Sequence, residues 1–374
     1  MLLKLPFYLK VTCFAILGAA TILIFVYASD ILITFSVSLL LTFLLLPISR
    51  KLESWRFPKW LAIAISIFIA ILIFGGLIAF FGYQLMSFRD DIPKLEASLM
   101  KKIAMIEKYI AQQTHISRRE QTAWINQKVS EFGSQSSATI FSMFSTTTDV
   151  LANISIMPIY IFFLTLYKDK FIKFIAHVFD ADVHDKTLSI IKKVSKVSQK
   201  YIKGIMIDIL ILSILNSIGF LLLGIKQAIL FGVLAAFLNI IPYIGVLIGS
   251  IFPIAMALLT KDSLWYAAGA AGVCMFVQFL DNNFITPKVV GSAVSVNPLM
   301  AIIVLLIGAK VWGVMGMILF IPFAGMLKVL LDNIEDLKPY GYLLGEEDDI
   351  KTISKEKVEE DLNHLHESNA NDVS

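Results

Sequence analysis

Residues 239–245 read Asn239-Ile240-Ile241-Pro242-Tyr243-Ile244-Gly245, and they lie inside an apolar run that extends from about Ala228 to Leu259. A proline and a glycine interrupt a helix and release backbone polar groups where no water is available to satisfy them. Such a break is stable in a membrane only when it is buried in protein or lines a water-filled cavity. Interrupted spans of this kind mark the binding sites of secondary transporters. The stretch therefore predicts an integral membrane protein that moves a solute or an ion.

The composition supports a membrane protein rather than a soluble one. Of the 374 residues, 57% are hydrophobic and only 16% are charged, whereas soluble domains carry about 25% charged residues. The net charge of +3 hides an asymmetry, because residues 332–374 carry 4 lysines against 13 acids and the remainder of the chain is basic. Basic residues beside apolar runs are typical of proteins embedded in a lipid bilayer, and so apolar a chain argues against nucleic-acid binding.

Apolar runs recur along the chain and predict an all-α polytopic membrane protein with about eight hydrophobic segments. A helix needs about 20 residues to cross a hydrocarbon core of about 30 Å. The runs at 228–259 and 299–331 are too long for one perpendicular crossing, so they must tilt, protrude, or fold back as broken or re-entrant hairpins. The segments lie at roughly 8–28, 31–48, 60–82, 150–167, 205–224, 228–259, 264–280 and 299–331.

The distribution of lysines and arginines predicts a multi-pass topology with both termini in the cytoplasm. Residues 84–148 are then external, and apolar residues at helical spacing predict a helical hairpin there. Residues 171–202 are amphipathic and lysine-rich, which predicts a cytoplasmic interfacial helix. The expected domains are an N-terminal three-span unit (1–83), the external helical insertion (84–148), the fourth span with a basic linker (149–204), a transport core with proline-broken helices (205–332) and an acidic cytoplasmic tail (333–374).

The motif around Pro242 recurs later in the chain. Each copy has an aromatic-Gly-Val triplet followed by Ile-Pro-aromatic-x-Gly, and the second copy begins at Trp312-Gly313-Val314 and contains Ile321-Pro322. Because proline has no N–H, the carbonyls of Leu238 and Ile318 lose their helical partners and become available to a cation or a polar solute. The pattern predicts paired helix breaks at Pro242 and Pro322, with chance similarity between apolar helices as the alternative.

Charged side chains inside apolar runs are costly, so they are candidate functional residues. Asp281 ends the seventh run inside a cluster of amides, a prolyl break and a lysine, with a solvated loop as the alternative interpretation. Lys310 could pair with Asp281 or Asp208, or could extend its ammonium group to the interface. The candidate substrate- or ion-binding residues are Asp208, Asn239, Pro242, Gly245, Gln278, Asp281, Asn282, Asn283, Pro287, Lys288, Lys310 and Pro322.

Several motifs in a fixed order resemble the autoinducer-2 exporter (AI-2E) transporter family. They are the runs 237–245, 281–291, 297–299, 313–316 and 321–322, and the layout of early spans, polar insertion and basic linker agrees over nearly the whole chain. The resemblance implies a bacterial inner (plasma) membrane and a homo-oligomer, for which a pentamer is one candidate. The family includes a quorum-signal exporter and sodium/proton antiporters. Members often carry histidine where this chain has Asn297, which puts proton coupling through that position in doubt here.

Three functional hypotheses follow. The first is a secondary transporter that exports a small polar solute or signalling molecule, with its site between the Pro242 break, the 281–288 cluster and the Pro322 break. The second is a Na⁺/H⁺ antiporter of the same fold, in which Asp281 binds the monovalent cation. The third is a non-transporting membrane scaffold, in which the 84–148 insertion and the interfacial helix recruit partners and the polar cluster is structural.

An enzyme is not expected from this sequence. It contains no HExxH, GxSxG or Walker A motif, and no cytosolic nucleotide domain. Cys13 and Cys274 share no metal-ligand spacing, so no metal and no cofactor are expected. Uphill transport would then have to draw on an ion gradient or on a partner protein.

Overall fold

The computed structural model describes residues 7–113, 147–178, 184–242, 244–291 and 296–345. Within these ranges every regular element is helical, and five helices are long and apolar enough to cross a membrane. The prediction of an all-α polytopic membrane protein is therefore confirmed. The helices are α1 (Phe7–Tyr27), α2 (Ser29–Ser54), α3 (Lys59–Gln113), α4 (Thr147–Leu166), α5 (Lys168–Val178), α6 (His184–Leu222), α7 (Ala228–Leu238), α8 (Ile244–Thr260), α9 (Leu264–Leu280), α10 (Thr286–Val289), α11 (Pro298–Asn333) and α12 (Lys338–Leu344).

Two compact units divide the chain. One unit contains residues 1–44, 167–206 and 284–374, and the other contains residues 45–166 and 207–283. The core of the first unit is built around Leu40, Tyr201, Trp312 and Leu319. In the second unit, Phe220, Phe231, Met256 and Ala270 belong to one buried cluster. The second unit is called the 207–283 unit below, because the candidate site lies in that part of it.

Helix α3 is a single helix of 55 residues, which corresponds to about 80 Å. Its apolar part ends near Gln84, so the third predicted span continues without a break into the first arm of the predicted insertion. Lys102 Nζ donates to the carbonyl of Lys261, just beyond the C-terminus of α8, at 2.7 Å. The extension of α3 is thereby tied to the end of α8 within the same unit. The predicted return arm falls on residues 114–146, which lie outside the described residues.

The apolar run 228–259 folds back on itself. Helices α7 and α8 have 11 and 17 residues, or about 17 and 26 Å, and both are shorter than a hydrocarbon core of about 30 Å. They pack against each other, and a Cβ on Gly249 would come within 2.9 Å of the Ala235 Cα. The close approach of α7 and α8 therefore depends on small residues at this contact. We call residues 228–260 the first hairpin.

The run 299–331 also folds back, although α11 is nominally continuous. Trp312 and Gly313 leave helical geometry, and Gly313 has φ +60° and ψ −138°, which favours glycine. A Cβ on Gly316 would collide with the carbonyl of Gly308. Those two residues would be about 12 Å apart in a straight helix. The two arms, 298–311 and 314–333, therefore form a second hairpin, which lies within the 284–374 part of its unit.

The turn of the second hairpin is held by Trp312. Its indole Nε1 donates to the carbonyl of Phe25 near the C-terminus of α1 at 2.8 Å. The ring also stacks on Phe25, with centroids 5.6 Å apart, and meets Phe320 edge-on at 5.3 Å. An aromatic side chain that carries an N–H donor thus joins α1 to both the turn and the returning arm.

Replacement of Trp312 by phenylalanine is expected to cost about 1 kcal/mol, because it removes the hydrogen bond to Phe25 but keeps a ring. Replacement by alanine is expected to cost about 3–5 kcal/mol, because it also leaves a cavity. Thermal unfolding of the two variants in detergent measures the difference. Equal stability of the phenylalanine and alanine variants would show that the ring contacts do not hold the turn.

Residues 171–202 form parts of two helices, which corrects the expectation of a single interfacial helix. Helix α5 is short and amphipathic, and it leaves Phe171 and Phe174 exposed. Helix α6 has 39 residues, or about 58 Å, and joins the lysine-rich part of the linker to the fifth apolar run. The chain leaves α6 through Gly224, which has φ +61°, and Ile225 N donates to the carbonyl of Phe220 at 3.0 Å. This bond is the Schellman arrangement that ends a helix.

Candidate functional site

Five of the residues singled out by sequence meet inside the 207–283 unit. Asp208 comes from the middle of α6, Asn239 caps the C-terminus of α7, and Gln278 lies in the last turn of α9. Asp281 and Asn282 follow α9 directly. The three helix segments therefore bring two carboxyl groups and three amides to one location.

A π-helical turn positions Asp281. Residues 281–285 form this wider turn between α9 and α10, and the backbone N–H of Asp281 donates to the carbonyls of Gln278 and Val277. Such turns shift the side chains of a helix out of register and occur frequently at functional sites. Asp281 is left only 3% exposed. A buried acid at the end of an apolar helix requires partners to be stable.

Amide groups supply these partners. Asn239 Nδ2 donates to Asp281 Oδ2 at 2.9 Å, and Gln278 Nε2 donates to the same oxygen at 3.3 Å. Gln278 Nε2 also donates to Asn282 Oδ1 at 2.9 Å. The turn between α7 and α8 is thus connected to the π-helical turn through the Asp281 carboxyl group.

The second carboxyl group belongs to Asp208. It lies within hydrogen-bonding range of Asp281 and is 9% exposed. Its Oδ1 atom is buried, and no hydrogen-bond donor among the described residues reaches it. Two ionised carboxylates in contact in a medium of low dielectric repel each other strongly. The pair is therefore stable when it holds a proton or a cation.

A small cavity lies beside the carboxyl pair. It has room for about one or two water molecules, so it admits a bare monovalent cation but not a metabolite in this conformation. Most of its wall is apolar, and Asn216, Asn239, Ser250 and Gln278 contribute the polar part. Its lining residues are Leu212, Asn216, Ala235, Asn239, Val246, Ser250, Cys274, Val277 and Gln278.

The hydrogen bonds of the polar lining leave mainly oxygen atoms for a ligand. Asn216 Nδ2 donates to the carbonyl of Leu212 at 3.0 Å, and Ser250 Oγ donates to the carbonyl of Leu247 at 2.9 Å. Asn239 and Gln278 use their N–H groups as described above. The remaining capacity is four side-chain oxygens and two amide hydrogens, by the standard inventory of side-chain donors and acceptors. Oxygen ligands of this kind suit hard cations.

Three site candidates in this unit have other roles in the structure. Asn283 is exposed, and its Nδ2 donates to the carbonyl of Phe279 at 2.8 Å. Pro242 lies in the turn of the first hairpin, and a Cβ on Gly245 would overlap the carbonyl oxygen of Leu238. The expected free carbonyl of Leu238 is corrected, since it accepts a bond from Ile241 N at 2.9 Å. The local turn from Leu238 to Ile241 therefore supplies the hydrogen bond that the Leu238 carbonyl loses because Pro242 has no N–H.

The remaining candidates belong to the other unit. Pro287, Lys288 and Lys310 are exposed there, and pairing of Lys310 with an aspartate stays a prediction. The expected helix break at Pro322 is wrong in position. Pro322 is fully buried inside the second arm of α11, and the chain turns nine residues earlier at Gly313. Proline removes one helical hydrogen bond, whereas a glycine with positive φ reverses the chain direction.

Sequence reasoning missed Ser250 and Cys274 as cavity residues, and Asn216 was not among its candidate site residues. A signal for Asn216 was present, because Asp208, Leu212 and Asn216 recur every four residues and so share one face of α6. No comparable signal marks Ser250. Asn297 has a structural role, since its Oδ1 accepts from Met300 N at 2.9 Å and caps α11.

A profile of the AI-2E family transporters matches residues 13–336, which is most of the chain. The chain belongs to the AI-2E transporter family. Together with its apolar helices, this membership makes it an integral membrane protein of a transport family.

Three relatives cover most of this AI-2E family chain. YueF of Bacillus subtilis is 28% identical over 327 residues, which is 83% of this chain and 85% of YueF. A Haemophilus influenzae protein is 25% identical over 348 residues, or 90% and 97% of the two chains. The names of both proteins describe a transport role that is not established for them. TqsA of Escherichia coli, named as an AI-2 transport protein, is 22% identical over 312 residues, or 82% and 87%.

Proposed function

We propose that this AI-2E family protein is a secondary antiporter that exchanges a monovalent cation for protons. The observation that carries the proposal is the buried contact between Asp208 and Asp281 beside a small cavity that four polar side chains line in part. The pair holds either protons or a cation, since both carboxyl groups cannot remain charged and uncompensated. Competition of the two ligands for one site is the physical requirement for exchange.

The amides give the site its link to the first hairpin. Asn239 lies where the hairpin breaks, and it binds the oxygen of Asp281 that also accepts from Gln278. A change in the charge of Asp281 therefore alters the hydrogen bond that fixes this end of the hairpin. Coupling between ion binding and hairpin movement follows from that one shared atom.

Purified protein in liposomes tests the proposal. With a pH-sensitive dye inside and an imposed pH gradient, a pulse of Na⁺, Li⁺ or K⁺ is expected to dissipate the gradient for at least one of these ions. The apparent affinity for the cation should rise as the pH rises, because fewer protons compete for the carboxyl pair. Absence of proton movement with all three ions, in liposomes with verified insertion, would overturn antiport.

Export of a small polar solute is the second candidate function. It is favoured by the likeness to TqsA, whose name assigns transport of AI-2, over 82% of this chain. In this alternative the carboxyl pair binds the driving proton, and the cargo occupies a wider conformation of the cavity. Proton-driven efflux of a small solute from loaded liposomes, without any cation-stimulated proton flux, would select export over antiport.

Replacement of Asn239 by alanine is expected to raise the half-saturating cation concentration about tenfold. The loss of one hydrogen bond to a charged group costs about 1.5 kcal/mol, which corresponds to that factor. Asn283→Ala is the matched control, because among the described residues the Asn283 amide donates to the carbonyl of Phe279 and not to the carboxyl pair. Equal effects of the two alanine variants in the liposome assay would remove Asn239 from the site.

A further inference from the structure

A stripe of lysines runs along the first half of α6. Six lysines follow one another at heptad-like spacing on one side of the helix, and each is exposed. The stripe spans 17 residue steps, or about 26 Å along the helix axis. We call these residues the lysine stripe: Lys186, Lys192, Lys193, Lys196, Lys200 and Lys203.

The C-terminal part of the chain already contacts the beginning of this stripe. Lys186 Nζ lies 3.2 Å from Glu335 Oε1, and Lys193 Nζ donates to Asn333 Oδ1 at 2.7 Å. All of these residues belong to the same unit. The end of α11 and the turn that follows it thus lie against the lysine-bearing part of α6.

Helix α12 is fixed at that place by Asn297. The backbone N–H of Asn297 donates to the carbonyl of Leu344 at 2.8 Å, and its Nδ2 donates to the carbonyl of Leu343 at 2.8 Å. On the other side, Gly341 packs directly against Asp332. Because the arms of the second hairpin begin and end at this point, α12 is held from both sides, and the remaining chain continues from Gly345.

The 29 residues from 346 to 374 are complementary in charge to the stripe. They carry ten acids and three lysines, a net charge of −7, against the six lysines of the stripe. An extended chain of that length reaches about 95 Å, which far exceeds the length of the stripe. A tether of this kind raises the local concentration of the acidic segment to the millimolar range.

We propose that residues 346–374 bind the lysine stripe of the same chain and continue the contacts that Glu335 and Asn333 make with it. Anionic lipid is the competing occupant, but its headgroup layer is only about 5–8 Å thick on each side of the hydrocarbon core. The stripe lies on the same continuous helix as a span and extends about 26 Å beyond it. Most of these lysines are therefore better placed for an acidic peptide than for headgroups.

Carbodiimide coupling of the full-length protein in neutral detergent tests this docking. The reagent joins lysine amines to carboxylates in direct contact, and peptide mass spectrometry identifies the pairs. We expect coupling of Lys192, Lys196 or Lys203 to acids of 346–361, within single chains when ¹⁴N- and ¹⁵N-labelled proteins are mixed, and a severalfold decrease in 1 M salt. Coupling mainly between differently labelled chains would overturn the proposal in favour of a second copy.

A pair of charge-matched variants separates the stripe from general electrostatics. The stripe variant replaces three lysines of α6 by glutamine, Lys192→Gln/Lys196→Gln/Lys203→Gln, and we expect a protease to remove its tail about five times faster. The control variant makes the same change on α5, Lys168→Gln/Lys170→Gln/Lys173→Gln, and we expect its rate to be unchanged. Equal rates for both variants would overturn the proposal. If the stripe variant has no effect on tail cleavage in detergent, and anionic vesicles bind the unmodified protein but not this variant, the stripe belongs to lipid and the proposal is overturned as well.

Discussion

Replacement of Asp281 by asparagine is expected to reduce cation-coupled proton flux at least about 100-fold. Asp281 is almost fully buried and shares its Oδ2 with two amide donors. Asparagine keeps the size of the side chain but removes the negative charge that a proton or a cation must neutralise. Breaking a buried charge interaction costs about 3–5 kcal/mol, and 3 kcal/mol already corresponds to a factor of about 100. Dye-based proton flux in liposomes measures the loss.

The matched control for this prediction is Asp262→Asn. Asp262 is an exposed acid in the turn between α8 and α9, so its loss changes the net charge equally but leaves the carboxyl pair intact. We expect normal flux in that variant. Asp208→Asn should resemble Asp281→Asn, because the two carboxyl groups act as one site. Full activity of Asp281→Asn at the expression level of the unmodified protein would place the coupling site elsewhere.

Replacement of Gly245 by alanine is expected to destabilise the protein by about 3 kcal/mol or more and to abolish transport. The added Cβ would occupy the position of the Leu238 carbonyl oxygen, and backbone atoms cannot move aside as a flexible side chain can. Overpacking of well-packed interiors costs about 1–3 kcal/mol even where side chains adjust. The turn of the first hairpin would open, and Asn239 would lose its place against Asp281. Thermal unfolding in detergent and flux in liposomes report the two effects.

Gly272→Ala provides the comparison within the same unit. Gly272 lies in α9, and among the described residues no atom beyond its own stretch of helix comes within 4 Å of the position that its Cβ would take. Alanine also favours a helix more than glycine by about 1 kcal/mol, so this variant should be at least as stable as the unmodified protein. If Gly245→Ala unfolded at the same temperature as Gly272→Ala, the close turn at residues 238–245 would be refuted.

The candidate site could be predicted from sequence where rare residues interrupt a common pattern. Asp281 and its neighbouring amides stand out because charges and amides are costly in apolar runs. Asn239 stands out because it precedes a proline at a break. Their mutual contact could not be predicted, since it depends on how the fold brings the C-terminal ends of α7 and α9 together. The contact of Asp208 with Asp281 likewise depends on where α6 lies relative to α9.

The second helix break shows the opposite case. Pro322 has the stronger sequence signal, yet the chain turns at Trp312–Gly313. A single proline can be accommodated when the surrounding side chains pack well, as they do around the buried Pro322. The turn at Gly313 is favoured by contacts that sequence periodicity does not contain, namely the approach of Gly308 to Gly316 and the bond from Trp312 to Phe25.

The sequence by itself determined that this is a helical membrane protein of the AI-2E family, with a broken segment at 239–245 and a polar cluster around Asp281. These properties depend on local composition and order, because the cost of polar groups in lipid acts on each segment separately. Only the tertiary structure decided that both long apolar runs fold back, that Asp208 meets Asp281, and that Ser250 and Asn216 line the cavity. Such contacts join residues that are up to 73 positions apart. Which groups meet over that separation is set by the packing of whole helices, and no local pattern records it.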